Sequence, residues 1–139
     1  MSTTTANTNP IFQRLPSVQA AVITDADTNV PVTLYTSVST EGGLIDSISA
    51  VSTDSAAAII QLTITDNAVG TDYAIGEVTV PANSGTDGTT PAFNLLSALL
   101  VLQESGGRTI PPSGILKVNA KATITAATQI TFVANGGDY

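Results

Sequence analysis

The side chains that could do chemistry here are eleven carboxylates, four cations and a large supply of hydroxyls. The 139 residues contain neither His nor Cys. Without His there is no imidazole general base, no hydroxyl–imidazole or thiol–imidazole pair, and none of the commonest neutral metal ligand. Without Cys there is no disulfide, thiolate zinc site or thiol chemistry. What remains is a carboxylate pair or a Ser–Lys pair. The acidic residues are scattered singly through turns, where solvation accounts for them. A glycosidase pair needs two carboxyls roughly 5–9 Å apart beside a glycan cleft, for which a domain this small leaves little room. Ser113 and Lys117 lie four positions apart across a turn and a strand, whereas a helical nucleophile–base pair is three apart.

Asp25, Asp27 and Asn29 form the one metal-like spacing, Asp-x-Asp-x-Asn, the first half of a calcium loop. The glycine that should follow is Val30 and the closing Glu is Thr36. The sharp turn and the bidentate ligand are therefore both missing, and the trio reads as a turn between strands. No catalytic residue, metal ligand or cofactor-binding residue is expected. The chain reads as a protein that acts by binding and assembling.

The charge pattern points the same way. Only 11% of the residues are charged, against about 25% in an ordinary soluble domain. Thr, Ser, Asn and Gly supply the missing polarity. Either much of the surface is buried against partners, where charges are disfavoured, or the domain is kept soluble by hydroxyls. The net charge is −7, and Arg14, Arg108, Lys117 and Lys121 are scattered. Nucleic acid needs clustered cations for its phosphates, and anionic membranes need them too, so neither is an expected partner. Acidity suits a protein on the outside of a larger body. The first ten residues lack the basic and apolar regions of a secretory signal, so the expectation is synthesis in a cytoplasm.

The elements that must carry this surface are mostly strands. Residues 1–16 read as an extended arm, Thr/Asn-rich with Pro10 and Pro16. Its apolar anchors Ile11, Phe12 and Leu15 suit either a strap on its own domain or an arm reaching a neighbour. From residue 17 onward a single domain is expected. Val18, Ala20 and Val22 begin a period-two pattern. Further strands are read at 32–34, 44–52, 58–65, 73–80, 116–124 and 129–134. Asp/Asn/Gly/Pro turns separate them. Thr90-Pro91 resembles an N-cap and first helical residue, and Leu95, Leu96, Leu99 and Leu100 fit helical spacing. A buried strand over the same residues is the alternative. About eight short strands with turn chemistry between them predict an all-β, jelly-roll-like sandwich.

The two ends of the chain carry a resemblance. Asn7-Thr8-Asn9-Pro10-Ile11-Phe12 through Pro16 is similar to the N-terminal stretch of certain small virion proteins of tailed bacteriophages. Pro112-Ser113-Gly114, Ile115 to Val118, Ile130 to Ala134 and the closing Gly136-Gly137-Asp138-Tyr139 are similar to their C-terminal part. The resemblance implies a capsid decoration, or cement, protein on the outer capsid surface, partnered by the major capsid protein and commonly trimeric. On that reading Asn9, Pro10, Ile11, Phe12, Leu15, Asp138 and Tyr139 are expected at subunit or capsid contacts. A minor tail or neck component and a glycan-binding surface module are the rival roles.

Overall fold

The computed structural model describes residues 15–37, 42–66, 70–98 and 108–138. They form a β-sandwich of two antiparallel sheets. The strands are β1 (Leu15–Thr24), β2 (Val32–Thr36), β3 (Gly43–Ser52), β4 (Ala58–Asp66), β5 (Thr71–Val80), β6 (Phe93–Asn94), β7 (Arg108–Ile110), β8 (Ile115–Ala120) and β9 (Gln129–Asp138). Sheet A runs β1-β9-β3-β6, with β7 also on β3; sheet B runs β2-β8-β4-β5.

The pairing has a simple logic. β1 pairs with β9, β2 with β8, β3 with β6 and β7, and β4 with β5. This is one long folded ribbon. Rolling it up brings β9 onto β3 and β8 onto β4. That wrapping is the jelly roll, and it closes a core between the two sheets. Sheet A contributes Ile23, Ile45, Ile48, Ile130 and Phe132; sheet B contributes Leu34, Tyr35, Ile60, Leu62, Leu116 and Val118, all buried.

Three irregularities set which side chains reach that core. The β2/β8 register shifts between Thr33 and Tyr35, so adjacent Leu34 and Tyr35 are both buried. The β3/β9 register shifts between Ile45 and Ser47, leaving Asp46 as the extra residue. Ile45 and Ile48, three apart, thereby share the inner face. The β4/β5 register shifts at Leu62/Thr63, opposite Ile75.

Several sequence expectations are corrected. β1 begins at Leu15, inside the segment read as an arm, and Pro16 pairs with Gly137. The phase of β1 is reversed: Ala21 and Ile23 are buried, while Val18 and Val22 are 67% and 43% exposed. Strand β8 stops at Ala120; Ala122 is exposed, and Ile124 enters the core from the following loop. Strand β9 runs on past residue 134, the expected end, through Asn135-Gly136-Gly137 to Asp138. The helix is one turn, α1 (Leu95–Ala98). It is capped by Asn94, whose Oδ1 accepts from the Ser97 N–H at 3.1 Å, not by Thr90. The remainder of the 95–102 segment lies outside the described residues.

Candidate assembly surface

The outer faces of the two sheets differ in chemistry. On sheet A, register places Val18, Asn135 and Ser47 in one row, Ala20, Val133 and Ser49 in the next, and Val22, Thr131 and Val51 in a third. Strand alternation turns all nine away from the core. None of these nine is charged; Asp46, the extra residue of the β3 bulge beside Ser47, is an exposed carboxylate on the same side. Val18 and Val22 are two of the six large apolar side chains most exposed among the described residues. The polar members are hydroxyls and one amide; Asn135 Nδ2 donates to Ser47 Oγ at 3.4 Å.

Sheet B turns out Thr33, Lys117, Gln61, Glu77, Asp72 and the 45% exposed Ile59, together with Thr63, Thr65 and Asn119, which are buried between their neighbours. Lys117 Nζ lies 3.3 Å from Asp72 Oδ1. The Thr65 hydroxyl donates to the same carboxylate. The Thr65 hydrogen bond, reinforced by Lys117 and opposed by partial desolvation, holds the Asp72 carboxyl below its ordinary value. So the Ser113–Lys117 pairing has no chemistry behind it: Lys117 is engaged with Asp72, and Ser113 sits in a turn at φ 56°.

Three further carboxylates, Asp27, Asp54 and Asp87, hold turns and loops. Asp54 is buried at the end of β3. Its Oδ2 accepts from the Thr125 N–H (2.9 Å); Oδ1 accepts from the Thr125 hydroxyl (2.7 Å) and the Ala56 N–H (2.9 Å). Its carbonyl accepts from the Asn83 N–H at 2.8 Å. Burial raises the Asp54 carboxyl, but the bonds from Thr125 and Ala56 outweigh it and the net shift is downward. One residue thus ties three loops together: its side chain holds the β3–β4 and β8–β9 loops, and its backbone carbonyl holds the β5–β6 loop. Sequence reading placed Asp54 in a turn and missed this role; the polar run Thr53-Asp54-Ser55 was its only signal. Asp87 accepts from the Thr90 and Thr89 N–H groups and the Thr90 hydroxyl, which hold it at about 2. A shallow hollow of about 290 Å³ lies beside it, lined by Gly85, Gly88, Thr89, Thr90 and Pro91, with no charged lining group.

Asp27 is spent on its own turn. Its Oδ2 accepts from the Thr24 N–H (2.8 Å) and the Thr24 hydroxyl (3.0 Å), closing a single 3-10 turn over Asp25–Asp27. Asn29 follows in the left-handed region, at φ 57°. Among the described residues no group of three or more His, Cys, Asp or Glu side chains converges as a metal site would require.

Of the expected contact residues, Leu15 and Asp138 are brought together as register partners on β1 and β9. Leu15 is 73% exposed. Asp138 is not a surface contact: it is buried, and Tyr35 Oη donates to its Oδ1 at 3.1 Å. Asn9, Pro10, Ile11, Phe12 and Tyr139 lie outside the described residues. The outward β9 and β3 positions of sheet A were not foreseen; the excess of Ser, Thr and Val over charge in those strands was the available signal. Among the described residues no helix is long and apolar enough to cross a membrane. In comparisons with known proteins, no family model and no curated protein matches the chain.

Proposed function

We propose that the chain is a structural protein of a tailed-bacteriophage particle, a decoration protein that binds the outer capsid surface and stabilises the shell. The observation that carries this reading is the outer face of sheet A. Three adjacent strands of a −7 protein present Val, Ala, Ser, Thr and Asn there, and Asp46 at the β3 bulge is the one carboxylate beside these rows. Burying such a face costs little desolvation, and its hydroxyls can hydrogen-bond across a contact. The resemblance of the two chain ends to small virion proteins supplies the kind of partner, the major capsid protein.

The mechanism follows from multiplicity. Each copy contributes one modest contact, and many copies bridging neighbouring shell subunits oppose shell expansion by mass action. The core and the loop ties at Asp54 make the sandwich a rigid spacer. Quantitative mass spectrometry of purified virions tests the reading. The expected result is a copy number comparable to that of the major shell protein. A handful of copies would instead assign the protein to the tail or neck. Absence from virions would overturn the proposal.

A further inference from the structure

The four edges of the two sheets are not protected equally. On sheet B, β5 carries Asp72 and Glu77 and is bulged at Ile75. The edge of β2 is bulged at Leu34, and the side-chain amide of Gln19 occupies it. Gln19 Nε2 donates to the Thr36 carbonyl, and Gln19 Oε1 accepts from the Thr36 N–H, both at 3.0 Å. On sheet A, β6 and β7 are only two and three residues long. Charge, bulges, side-chain caps and shortness are the usual devices against edge-to-edge pairing. Among the described residues, strand β1 has almost none of them. It is ten residues long and pairs with β9 in unbroken register from Leu15 to Thr24. It carries no charged residue, and its only proline is Pro16 near one end.

We propose that β1 of one copy pairs antiparallel with β1 of a second copy about a two-fold axis at Ala20, so that sheet A runs continuously through a dimer. The strand is self-complementary in that register. Ala20 faces Ala20 of the second copy, and Val18 faces Val22 of the second copy on both sides of the axis. Because positions 18, 20 and 22 all turn outward, the pairing keeps the core faces of both copies aligned. Electrostatics select the same edge: two −7 molecules repel, and β1 lets them meet without placing like charges opposite each other. A self-paired edge closes with two-fold symmetry, unlike the trimer implied by the sequence resemblance. The contact goes beyond the shell reading and stands or falls without it, because it is measured on the isolated chain.

A cysteine placed at the axis tests it directly, since the chain has no other. Directly opposed residues in antiparallel strands have Cα atoms about 4.5–5.5 Å apart, within disulfide range. Ala20→Cys is exposed and leaves the core untouched. Mild oxidation should link it into a covalent dimer, while the exposed control Thr79→Cys on β5 stays monomeric. Linkage of Ala20→Cys no faster than the control would overturn the proposal. Native mass spectrometry of the wild-type chain should show a dimer; a monomer or trimer would overturn it. Val18→Lys/Val22→Lys and Val18→Glu/Val22→Glu should each weaken the dimer about a hundredfold. Mixing the two should restore a one-to-one dimer. Retention of dimer strength by both variants would contradict the register.

Discussion

Sheet B and sheet A share one core but meet the outside differently. Sheet B looks like the surface of a free-standing domain. Its outer face pairs Lys117 with Asp72, reinforces the pair with Thr65, and presents Glu77 beside an edge broken by a bulge. The outer face of sheet A has no charge in its three central rows, and its β1 edge is long and regular. The fold does not require this difference, because both faces point away from the core. A surface built only for solubility would carry charge on both sides. On the proposed function, sheet A is the partner-facing side of the molecule.

The comparison can be broken where sheet A is tightest. Gly136 lies opposite Ile45 at the β3 bulge. A Cβ there would collide with the Leu44 carbonyl oxygen and sit 2.9 Å from the Ile45 Cα. Gly136→Ala should therefore cost about 3 kcal/mol, read as a lower urea midpoint. An unchanged midpoint would mean that β9 and β3 are not held as closely as the geometry requires.

Next come the loop ties. Asp54→Asn turns one of the two acceptor oxygens into a donor, so the side chain can no longer accept from the Thr125 N–H while also accepting from the Ala56 N–H and the Thr125 hydroxyl. A loss of about 2 kcal/mol is expected. The pH dependence has a definite sign. Asp54 and Asp87 are held below the ordinary carboxyl value of 3.8, Asp87 at about 2. The unfolded chain therefore binds protons more readily. The stability from these groups is complete above about pH 4 and is lost as pH falls towards 2. Thermal melts should show a flat plateau above that range and a decline below it, shallower in Asp54→Asn.

Tyr35→Phe removes the hydroxyl that bonds buried Asp138 and should cost about 1–2 kcal/mol in the same melts. The smallest effect belongs to sheet B. Lys117→Met breaks a partly exposed ion pair and should change stability by no more than about 0.5 kcal/mol. If Lys117→Met also weakened self-association, the division of labour between the sheets would be wrong.

Much of the fold was legible because the strands obey period two between turn-forming residues. Ala58, Ile60 and Leu62 alternate as half-buried strands should, and all three are buried. Alternation was misleading where function or irregularity intervened. Val18, Ala20 and Val22 alternate as well as any core face, yet they point outward, because the rule detects an apolar face without saying what covers it. The bulges hid the pairing of Leu34 with Tyr35 and of Ile45 with Ile48, since one inserted residue inverts the phase downstream. Asp138 was expected at a contact on the resemblance of the chain end to small virion proteins. Its burial depends on Tyr35, 103 positions away in sequence, which no local pattern reveals. Asp54 was obscured in the same way, because its main donors come from Thr125, 71 positions later.

The central claim is that the outer face of sheet A, with its uncharged Val18–Val22, Thr131–Asn135 and Ser47–Val51 rows, binds a capsid shell. The most direct test is co-sedimentation of the full chain with purified shells that lack it. Wild type should saturate the shells, Val133→Lys at the middle of sheet A should abolish binding, and Glu77→Lys on sheet B should leave it intact. Failure of wild type to bind, or binding by Val133→Lys at wild-type strength, would contradict the account.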